Sequence, residues 1–256
     1  MPTKALKALV VSSGGLDSTT AIYDMLDQGM EVETISFNYG QRHVKELEYA
    51  AATATKLGLR HHVVDLSGIA SILAESGSSL VSSEKVPEGH YAEATMKKTV
   101  VPNRNMMMLS IAGAVAVSTG CEFIVTGVHA GDHAVYPDCR PRFVDLVSDA
   151  LVQGNEGFGD MRGVLAPYVH ISKAEIAKKA IMLKVPLDET WSCYKGEELH
   201  CGRCGTCVER LEAISDAVNM LEQEDNPLAQ FFDSTEYQDE DFWVDATDGD
   251  PDSTNS

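Results

Sequence analysis

The sequence has no hydrophobic stretch long enough to cross a membrane. Its longest apolar run, 111–117, is far shorter than the roughly 18–20 residues that a transmembrane helix requires. The apolar stretch after Lys7 stops within a few residues at Ser12-Ser13-Gly14-Gly15, so it does not have the pattern of a secretory signal. We therefore expect a cytoplasmic protein that does not act at a membrane.

Positive charge is scarce and is absent from the last part of the chain. There are 20 Lys and Arg residues against 39 Asp and Glu residues, which gives a net charge of −19. No Lys or Arg follows Arg210, whereas residues 222–256 hold 12 acidic side chains. Proteins that bind nucleic acid without reading its sequence need clusters of Lys and Arg, and no such cluster is visible. The composition disfavours direct action on RNA or DNA and favours a small-molecule substrate.

Strand-like and helix-like segments alternate along most of the chain. Hydrophobic residues make up 44% and charged residues 23%, which is the balance of an ordinary globular protein. The alternation predicts an α/β protein with a Rossmann-like parallel sheet and helices on both faces. The predicted strands are 7–12, 31–39, 62–66 and 123–128, and the predicted helices are 17–28, 42–58, 103–119, 140–153 and 172–184.

Composition divides the chain into three parts. Residues 1–184 carry the alternating pattern and are expected to form one α/β domain, within which 67–101 is interpreted as a long functional loop. Residues 185–221 contain a cysteine cluster and a C-terminal helical segment. Residues 222–256 are acidic and poor in features that build a core, so we expect a mostly disordered tail.

A glycine-containing loop, residues 12–20, separates the first strand from the first helix. Loops at the carboxyl end of strands in open parallel sheets are where ligands bind, and a free helix N-terminus favours an anion. The segment has hydroxyls and two adjacent glycines, which favours a nucleotide phosphate over an ordinary capped turn. Its members are Ser12, Ser13, Gly14, Gly15, Leu16, Asp17, Ser18, Thr19 and Thr20. We call it the glycine loop.

The same segment lacks the lysine of another phosphate-binding pattern. No Gly-Lys pair occurs in the chain, so the Walker pattern is absent and transfer of a terminal phosphoryl group is disfavoured. Asp17 is unusual in a phosphate cradle. Its carboxylate is expected either to position Mg²⁺ or to cap the helix.

Four of the six cysteines lie within fifteen residues. Cys193, Cys201, Cys204 and Cys207 offer four thiolates, enough for a closed tetrahedral Zn²⁺ site. An iron–sulfur cluster is the competing interpretation, because four cysteines also suit that group. Zinc is favoured because it explains the residues without requiring redox chemistry, and His200 is interpreted as a bystander. We call residues 193–207 the cysteine knuckle.

Three further polar segments follow strands or open helices near the same predicted sheet edge. They are 37–43, 101–105 and 126–141. Polar groups that converge on one edge of a sheet are typical of a site for a planar, polar, anionic substrate. The side chains expected there are Gln41, Arg42, His43, Arg104, Asp132, His133, Tyr136, Asp138 and Arg140.

Several of these motifs occur together and in the same order in one known family. The chain resembles the QueC family of 7-cyano-7-deazaguanine synthases, within the PP-loop ATP pyrophosphatase superfamily. The resemblance covers about residues 8–215. It rests on Ser-Gly-Gly-Leu-Asp-Ser at 13–18, Tyr-Gly-Gln-Arg-His at 39–43, Val-Pro-Asn-Arg-Asn at 101–105, Tyr-Pro-Asp-Cys-Arg-Pro at 136–141, Thr-Trp-Ser-Cys-Tyr-Lys-Gly at 190–196 and the cysteine knuckle.

The resemblance implies a particular ligation. It implies an adenine nucleotide alpha hydrolase-like fold in which ATP and Mg²⁺ bind at the glycine loop, Zn²⁺ binds at the knuckle, and the enzyme is a homodimer. The carboxylate of 7-carboxy-7-deazaguanine would be adenylated and converted by ammonia to the amide, and a second adenylation would give the nitrile. Asp17, Ser18, Arg104 and Arg140 are the expected catalytic residues, with Asp138 reading the guanine-like edge.

Three other functions fit parts of the sequence. An adenylating PP-loop enzyme that modifies tRNA would need an RNA-binding surface, which the acidic composition disfavours. A QueC-like ligase that attaches a deazaguanine to a protein is left open by the His129-Ala-Gly-Asp-His133 loop and by the tail. A zinc-stabilised nucleotide sensor is disfavoured because the chain keeps Asp17, Ser18 and the whole polar edge.

Overall fold

The β-branched and apolar runs of the sequence form the strands of a single parallel sheet. In the computed structural model, residues 5–41, 44–89, 96–195 and 197–239 are described. The five strands have the order β3-β2-β1-β4-β5, and every neighbouring pair is parallel. The strands are β1 (Lys7–Val11), β2 (Glu31–Asn38), β3 (Arg60–Asp65), β4 (Phe123–Val125) and β5 (Gly163–Leu165).

Helices connect the strands and cover both faces of the sheet. They are α1 (Leu16–Asp27), α2 (Lys45–Lys56), α3 (Ala70–Ala74), α4 (Arg104–Thr119), α5 (Pro141–Gly154), α6 (Lys173–Met182) and α7 (Gly205–Gln223). This arrangement confirms the predicted α/β class with a Rossmann-like sheet. None of the helices in the described ranges combines the length and the hydropathy needed to span a bilayer.

The central strand β1 contributes to two separate cores. Ala8 and Val10 pack on one face with residues of α1, α6 and α7, whereas Leu9 packs on the other face with residues of α4 and α5. Successive strand residues point to opposite faces, so an uninterrupted apolar run is what a strand buried on both sides requires.

The centre of the sheet contains a topological switch point. β1 pairs with β2 on one side and with β4 on the other. The connection that leaves β1 leads to β2, and the connection that leaves β4 leads to β5, in the opposite direction across the sheet. In open α/β sheets, ligands bind in the crevice outside such a point, at the carboxyl ends of the strands. The glycine loop directly follows β1 at this place.

Two strands differ from the sequence prediction. β4 ends at Val125 rather than at 128, because only three of its residues pair with β1. β5 was not predicted, and it consists of three residues that pair with β4. The region 67–101, predicted as a loop, contains α3 and contributes Leu80 to the core.

The first part of the predicted tail packs on the body of the protein. After α7, residues 227–230 form a short 3-10 helix, and the isolated bridge between His200 and Tyr237 fixes the chain further on. Residues 240–256 lie outside the described part of the chain. For them, disorder stays a prediction.

Candidate functional site

A cavity of about 240 Å³ lies at the carboxyl edge of the sheet. The glycine loop after β1 and the segment Thr126–Val128 after β4 form its floor. The start of α4 and the segment 191–194, which leads into the cysteine knuckle, form its walls. The switch point, the glycine loop and parts of all three predicted polar segments therefore meet in one place.

The glycine loop has the features of an anion cradle. Gly15 is the N-cap of α1 and makes no side-chain cap, so no side chain occupies the first-turn N–H groups of this helix. Ser12 and Asp17 line the cavity, and the Ser12 hydroxyl and the Oδ1 atom of Asp17 are buried and have no hydrogen-bond partner among the described residues. A phosphate would satisfy such N–H and hydroxyl donors, so the residues present fit this group.

Glycine is required at position 14 for two reasons. Its φ of 78° lies in the left-handed region, and a Cβ there would stand 2.4 Å from the backbone oxygen of Glu46. From the other side, the Trp191 backbone N–H donates to the Gly14 carbonyl oxygen at 2.8 Å. Helix α2 and the segment before the cysteine knuckle therefore hold the glycine loop between them.

Gly127 brings the β4 segment against the start of α1. A Cβ at this position would lie 3.2 Å from both the Asp17 carbonyl carbon and the Ser18 backbone nitrogen. No role was predicted for this glycine from the sequence. Its position just after the apolar strand β4 could have indicated one, because the backbone must come close to a ligand at that edge of the sheet.

A lysine reaches the glycine loop from a distant part of the sequence. Lys173 Nζ lies 2.7 Å from Asp17 Oδ2 and 3.4 Å from Glu209 Oε2. Burial disfavours the charged form of Lys173 and lowers its pKa. The carboxylates of Asp17 and Glu209 have the larger, opposite effect, so the pKa of the lysine is raised. The site therefore has a permanent positive charge beside the predicted phosphate cradle.

Lys173 was missed by the sequence analysis, although a signal existed. It is the first residue of α6, where Ser172 and Glu175 form a capping box. A cation in the first turn of a helix opposes the helix dipole, so a lysine there points to a local function.

A second group of charged and aromatic side chains lines the same cavity. Arg104, Glu46, Tyr39 and Tyr194 all line it. Burial raises the pKa of Glu46 to about 7, and the nearby Arg104 opposes this shift. Burial also raises the pKa of Tyr194, so its phenol stays protonated. This second group combines a fixed cation, an ionisable carboxyl group and aromatic faces.

Three other residues predicted at the substrate site line the cavity. Gln41 Oε1 accepts from the Tyr39 backbone N–H at 2.9 Å, which fixes the turn after β2. Asp132 lines the cavity and caps the turn that begins at His129. The hydroxyl of Tyr136 lies 2.5 Å from that of Thr99.

Other predicted site residues lie outside the cavity wall. Thr20 donates to the Leu16 carbonyl within α1, and Gly14 and Thr19 stand behind the cradle surface. The backbone N–H of Asn105, which lines the cavity, donates to Asp138 Oδ2 at 3.0 Å. Asp138 is therefore placed to orient Asn105 rather than to face the cavity itself.

Arg140 and His133 form a surface pair beside the site. The Arg140 side chain is exposed, and its Nε donates to the His133 carbonyl oxygen at 2.9 Å. His133 Nε2 is buried without a partner in the described part of the chain. The structure thus brings Arg104, but not Arg140, to the cavity. Arg42 and His43 lie outside the described residues.

The four thiols of the cysteine knuckle converge on one point. The Sγ atoms of Cys193, Cys201, Cys204 and Cys207 all lie within 4.8 Å of one another, and all four residues are buried. Backbone N–H groups at Lys195 and Cys201 donate to Cys193 Sγ, each at 3.4 Å. Clustered sulfurs that also receive backbone N–H groups fit thiolates held on a metal ion.

The knuckle also forms part of the cavity. Trp191, Ser192, Tyr194 and Thr206 line the cavity wall, and Thr206 Oγ1 lies 3.3 Å from Cys204 Sγ. His200 is not one of the clustered groups, and its Nε2 accepts the Ser192 backbone N–H at 3.2 Å. Burial lowers the pKa of His200 to about 3, so it is neutral. A metal at the knuckle would brace this wall.

The parallel sheet has its switch point beside β1, and an uncapped helix N-terminus and unpartnered hydroxyls lie there. Together these features define a nucleotide-binding protein of the PP-loop class. A family model described as "Queuosine biosynthesis protein QueC" matches residues 7–218. The chain belongs to the QueC family, as the sequence motifs predicted.

Curated relatives match almost the whole chain. A protein of Allorhizobium ampelinum named 7-cyano-7-deazaguanine synthase is 48% identical, over 95% of this chain and 97% of its own length. A protein of Paracoccus denitrificans with the same name is 47% identical, over 93% of this chain and 96% of its own length.

Solved structures resemble the chain more distantly. The U34-tRNA thiolase NcsA from Methanococcus maripaludis has a TM-score of 0.44 and 16% identity, covering 89% of this chain and 70% of that chain. An NH3-dependent NAD synthetase from Campylobacter jejuni has a TM-score of 0.43 and 15% identity, covering 89% of this chain and 82% of that chain.

Proposed function

We propose that this protein uses ATP and ammonia to convert 7-carboxy-7-deazaguanine to 7-cyano-7-deazaguanine. The observation that carries the proposal is a single cavity lined both by an anion cradle and by Arg104, Glu46 and aromatic side chains. The anion cradle suits the phosphates of ATP, and the second group of side chains suits a planar heterocyclic acid. The names of the curated relatives support this product.

The first stage forms an acyl adenylate and releases pyrophosphate. The substrate carboxylate attacks the α-phosphorus of ATP, and the bond between the α- and β-phosphates breaks. Negative charge grows on the departing pyrophosphate, where the α1 N-terminus, Ser12 and Ser18 are the donors. Lys173 lies beside Asp17 in the cavity wall and supplies the fixed positive charge that the missing Walker lysine would otherwise provide.

The second stage makes the carbon–nitrogen bonds. Ammonia attacks the acyl carbon, AMP leaves, and one proton is lost to give the amide. The amide oxygen then attacks a second ATP, which releases pyrophosphate, and elimination of AMP with loss of two protons gives the nitrile. We assign the uptake of these protons to Glu46, because it is an ionisable carboxyl group in the cavity wall.

Two metals fit the residues present. The cysteine knuckle fits Zn²⁺, which would stabilise the wall formed by 191–194. Asp17 Oδ1, buried and without a partner in the described part of the chain, is the oxygen that would face a phosphate-bound Mg²⁺. Mg²⁺ there would screen the charge of the phosphates.

One assay tests the proposed reaction. Purified protein is incubated with ATP, ammonium and 7-carboxy-7-deazaguanine, and mass spectrometry follows the heterocycle and the nucleotide. We expect the nitrile, AMP and pyrophosphate, with two AMP formed for each nitrile. Formation of ADP and orthophosphate, or no consumption of the acid, would refute the proposal. A deazaguanine found attached to a protein would instead identify the alternative ligase.

A further inference from the structure

Arg210 is a buried cation at the centre of the C-terminal region. Its side chain is fully buried within α7. Nη1 donates to Thr190 Oγ1 at 2.7 Å, and Nη2 donates to the Leu187 carbonyl oxygen at 2.7 Å. Arg210 therefore fixes the turn that immediately precedes Trp191.

The same guanidinium binds the segment 233–239, which we call the C-terminal strap. Nη2 donates to Thr235 Oγ1 at 2.8 Å and forms an ion pair with Asp233 Oδ2 at 3.3 Å. Nε donates to the Tyr237 hydroxyl at 3.1 Å. A buried guanidinium needs both a counter-charge and hydrogen-bond acceptors, and the C-terminal strap supplies the only side-chain carboxylate that the described residues bring to Arg210.

The C-terminal strap also covers the cysteine knuckle. The Gln238 backbone N–H donates to the His200 carbonyl oxygen at 2.8 Å, and the Tyr237 ring lies 5.4 Å from the His200 ring. Asp239 pairs with Arg203, Nε to Oδ2 at 3.4 Å. The two segments are in direct contact, because a Cβ at Gly202 would stand 2.0 Å from the Asp239 backbone oxygen.

These contacts lead to the glycine loop. The His200 ring packs on Trp191 with 4.3 Å between centroids, and the Trp191 backbone N–H donates to the Gly14 carbonyl oxygen at 2.8 Å. Trp191 also follows directly on Thr190, which Arg210 holds. The strap therefore touches both groups that determine where Trp191 lies.

We propose that the C-terminal strap is a positioning element that holds Trp191 against the glycine loop and so increases the affinity of the site for ATP, and that it shields the metal of the cysteine knuckle. The first part rests on the proposed ATP-binding role of the glycine loop. The second part rests only on the cluster of four thiols and on the strap packed over it.

Two truncations of the full-length chain give a matched test. One ends after Phe232 and removes the strap, whereas the control ends after Asp239 and keeps it. We expect the shorter protein to bind ATP at least about tenfold more weakly by calorimetry, since it loses the groups that fix Trp191. It should also transfer its metal to a chromogenic chelator at least about tenfold faster. The control should match the full chain in both measurements.

A point variant covers the case in which the shorter protein does not fold. Tyr237→Ala keeps the chain length and the Asp233 counter-charge, but it removes the ring on His200 and the acceptor for Arg210. In steady-state kinetics, a positioning role predicts a higher KM for ATP with kcat at saturating ATP within about twofold. A lower kcat with an unchanged KM would indicate a purely structural role and overturn the proposal.

The metal measurement separates this proposal from the proposed function. If the full-length protein bound no ATP, the proposed function and the positioning role would both fail. The shielding role would still be decided by the rate of metal transfer. Equal transfer rates in the full chain, the shorter protein and Tyr237→Ala would refute it.

Discussion

Replacing Lys173 with methionine tests the charge arrangement at the glycine loop. Methionine keeps most of the apolar stem and removes the ammonium group. The lysine side chain is 17% exposed, and Asp17 and Glu209 are 22% and 14% exposed. The variant leaves two mostly buried carboxylates without their shared cation.

The expected loss of stability follows from this burial. Breaking a buried ion pair costs about 3–5 kcal/mol, and the remaining exposure of these side chains places Lys173→Met near the lower end, about 3 kcal/mol. Lys56→Met is the matched control, because the Lys56–Glu189 pair has the same 2.7 Å distance but exposures of 50% and 51%. Exposed pairs contribute only about 0–1 kcal/mol.

Urea unfolding gives the free energy of unfolding of Lys173→Met and of the control Lys56→Met. The same measurement is made on Asp17→Asn and on the double variant Asp17→Asn/Lys173→Met. Because the double variant removes both charges of the shorter contact, it should be more stable than the sum of the single changes predicts, by about 1–3 kcal/mol. If Lys173→Met and Lys56→Met lost the same stability, or if the two changes at the glycine loop were additive, burial would not explain the role of Lys173.

Three further predictions concern the cavity and the knuckle. The turnover of the wild-type protein should fall below pH about 7, because burial raises the pKa of Glu46 to about 7 and only the ionised form accepts a proton. Glu46→Gln should lose this limb of the pH–rate profile. It should also gain stability relative to the wild type as the pH rises from about 4.5 to 7, because in this range the carboxyl group ionises in the unfolded wild type while burial keeps it protonated in the folded state, which favours unfolding; unchanged profiles would contradict the assignment. Arg104→Ala should reduce kcat/KM for the heterocyclic acid by about 10- to 150-fold, whereas the exposed Arg140→Ala should change it less, and the reverse order would contradict the placement of these residues. Plasma mass spectrometry should find one zinc per colourless chain and none in Cys204→Ser, whereas visible absorbance after anaerobic purification would indicate an iron–sulfur cluster.

Local patterns predicted the parts of the fold that depend on local physics. α4 was predicted at 103–119 and lies at Arg104–Thr119, because a long apolar helix that stops at a left-handed Gly120 leaves a clear pattern. β5 was missed because three residues are too short for a periodic signal, and its position depends on pairing with β4.

The residues of the candidate site also divide into those that a local sequence pattern predicts and those that only the fold brings together. The glycine loop and the four cysteines were found because their members lie close together in the sequence. Lys173 is 156 residues away from Asp17, and only the packing of α6 against α1 brings them together. Arg104 and Arg140 carry equal signals in the sequence, and only the fold distinguishes the one in the cavity from the one on the surface.

The two-sided support of Gly14 has a consequence for the proposed binding of ATP. Because the α2 backbone lies against one side and a tryptophan amide is bonded to the other, contacts within the protein alone hold the loop in this shape. A receptor that needs no rearrangement loses little conformational freedom when its ligand binds, so more of the interaction energy remains as affinity. The same packing leaves little room for a larger residue at position 14, and two segments that are far from the loop along the chain share its anchoring.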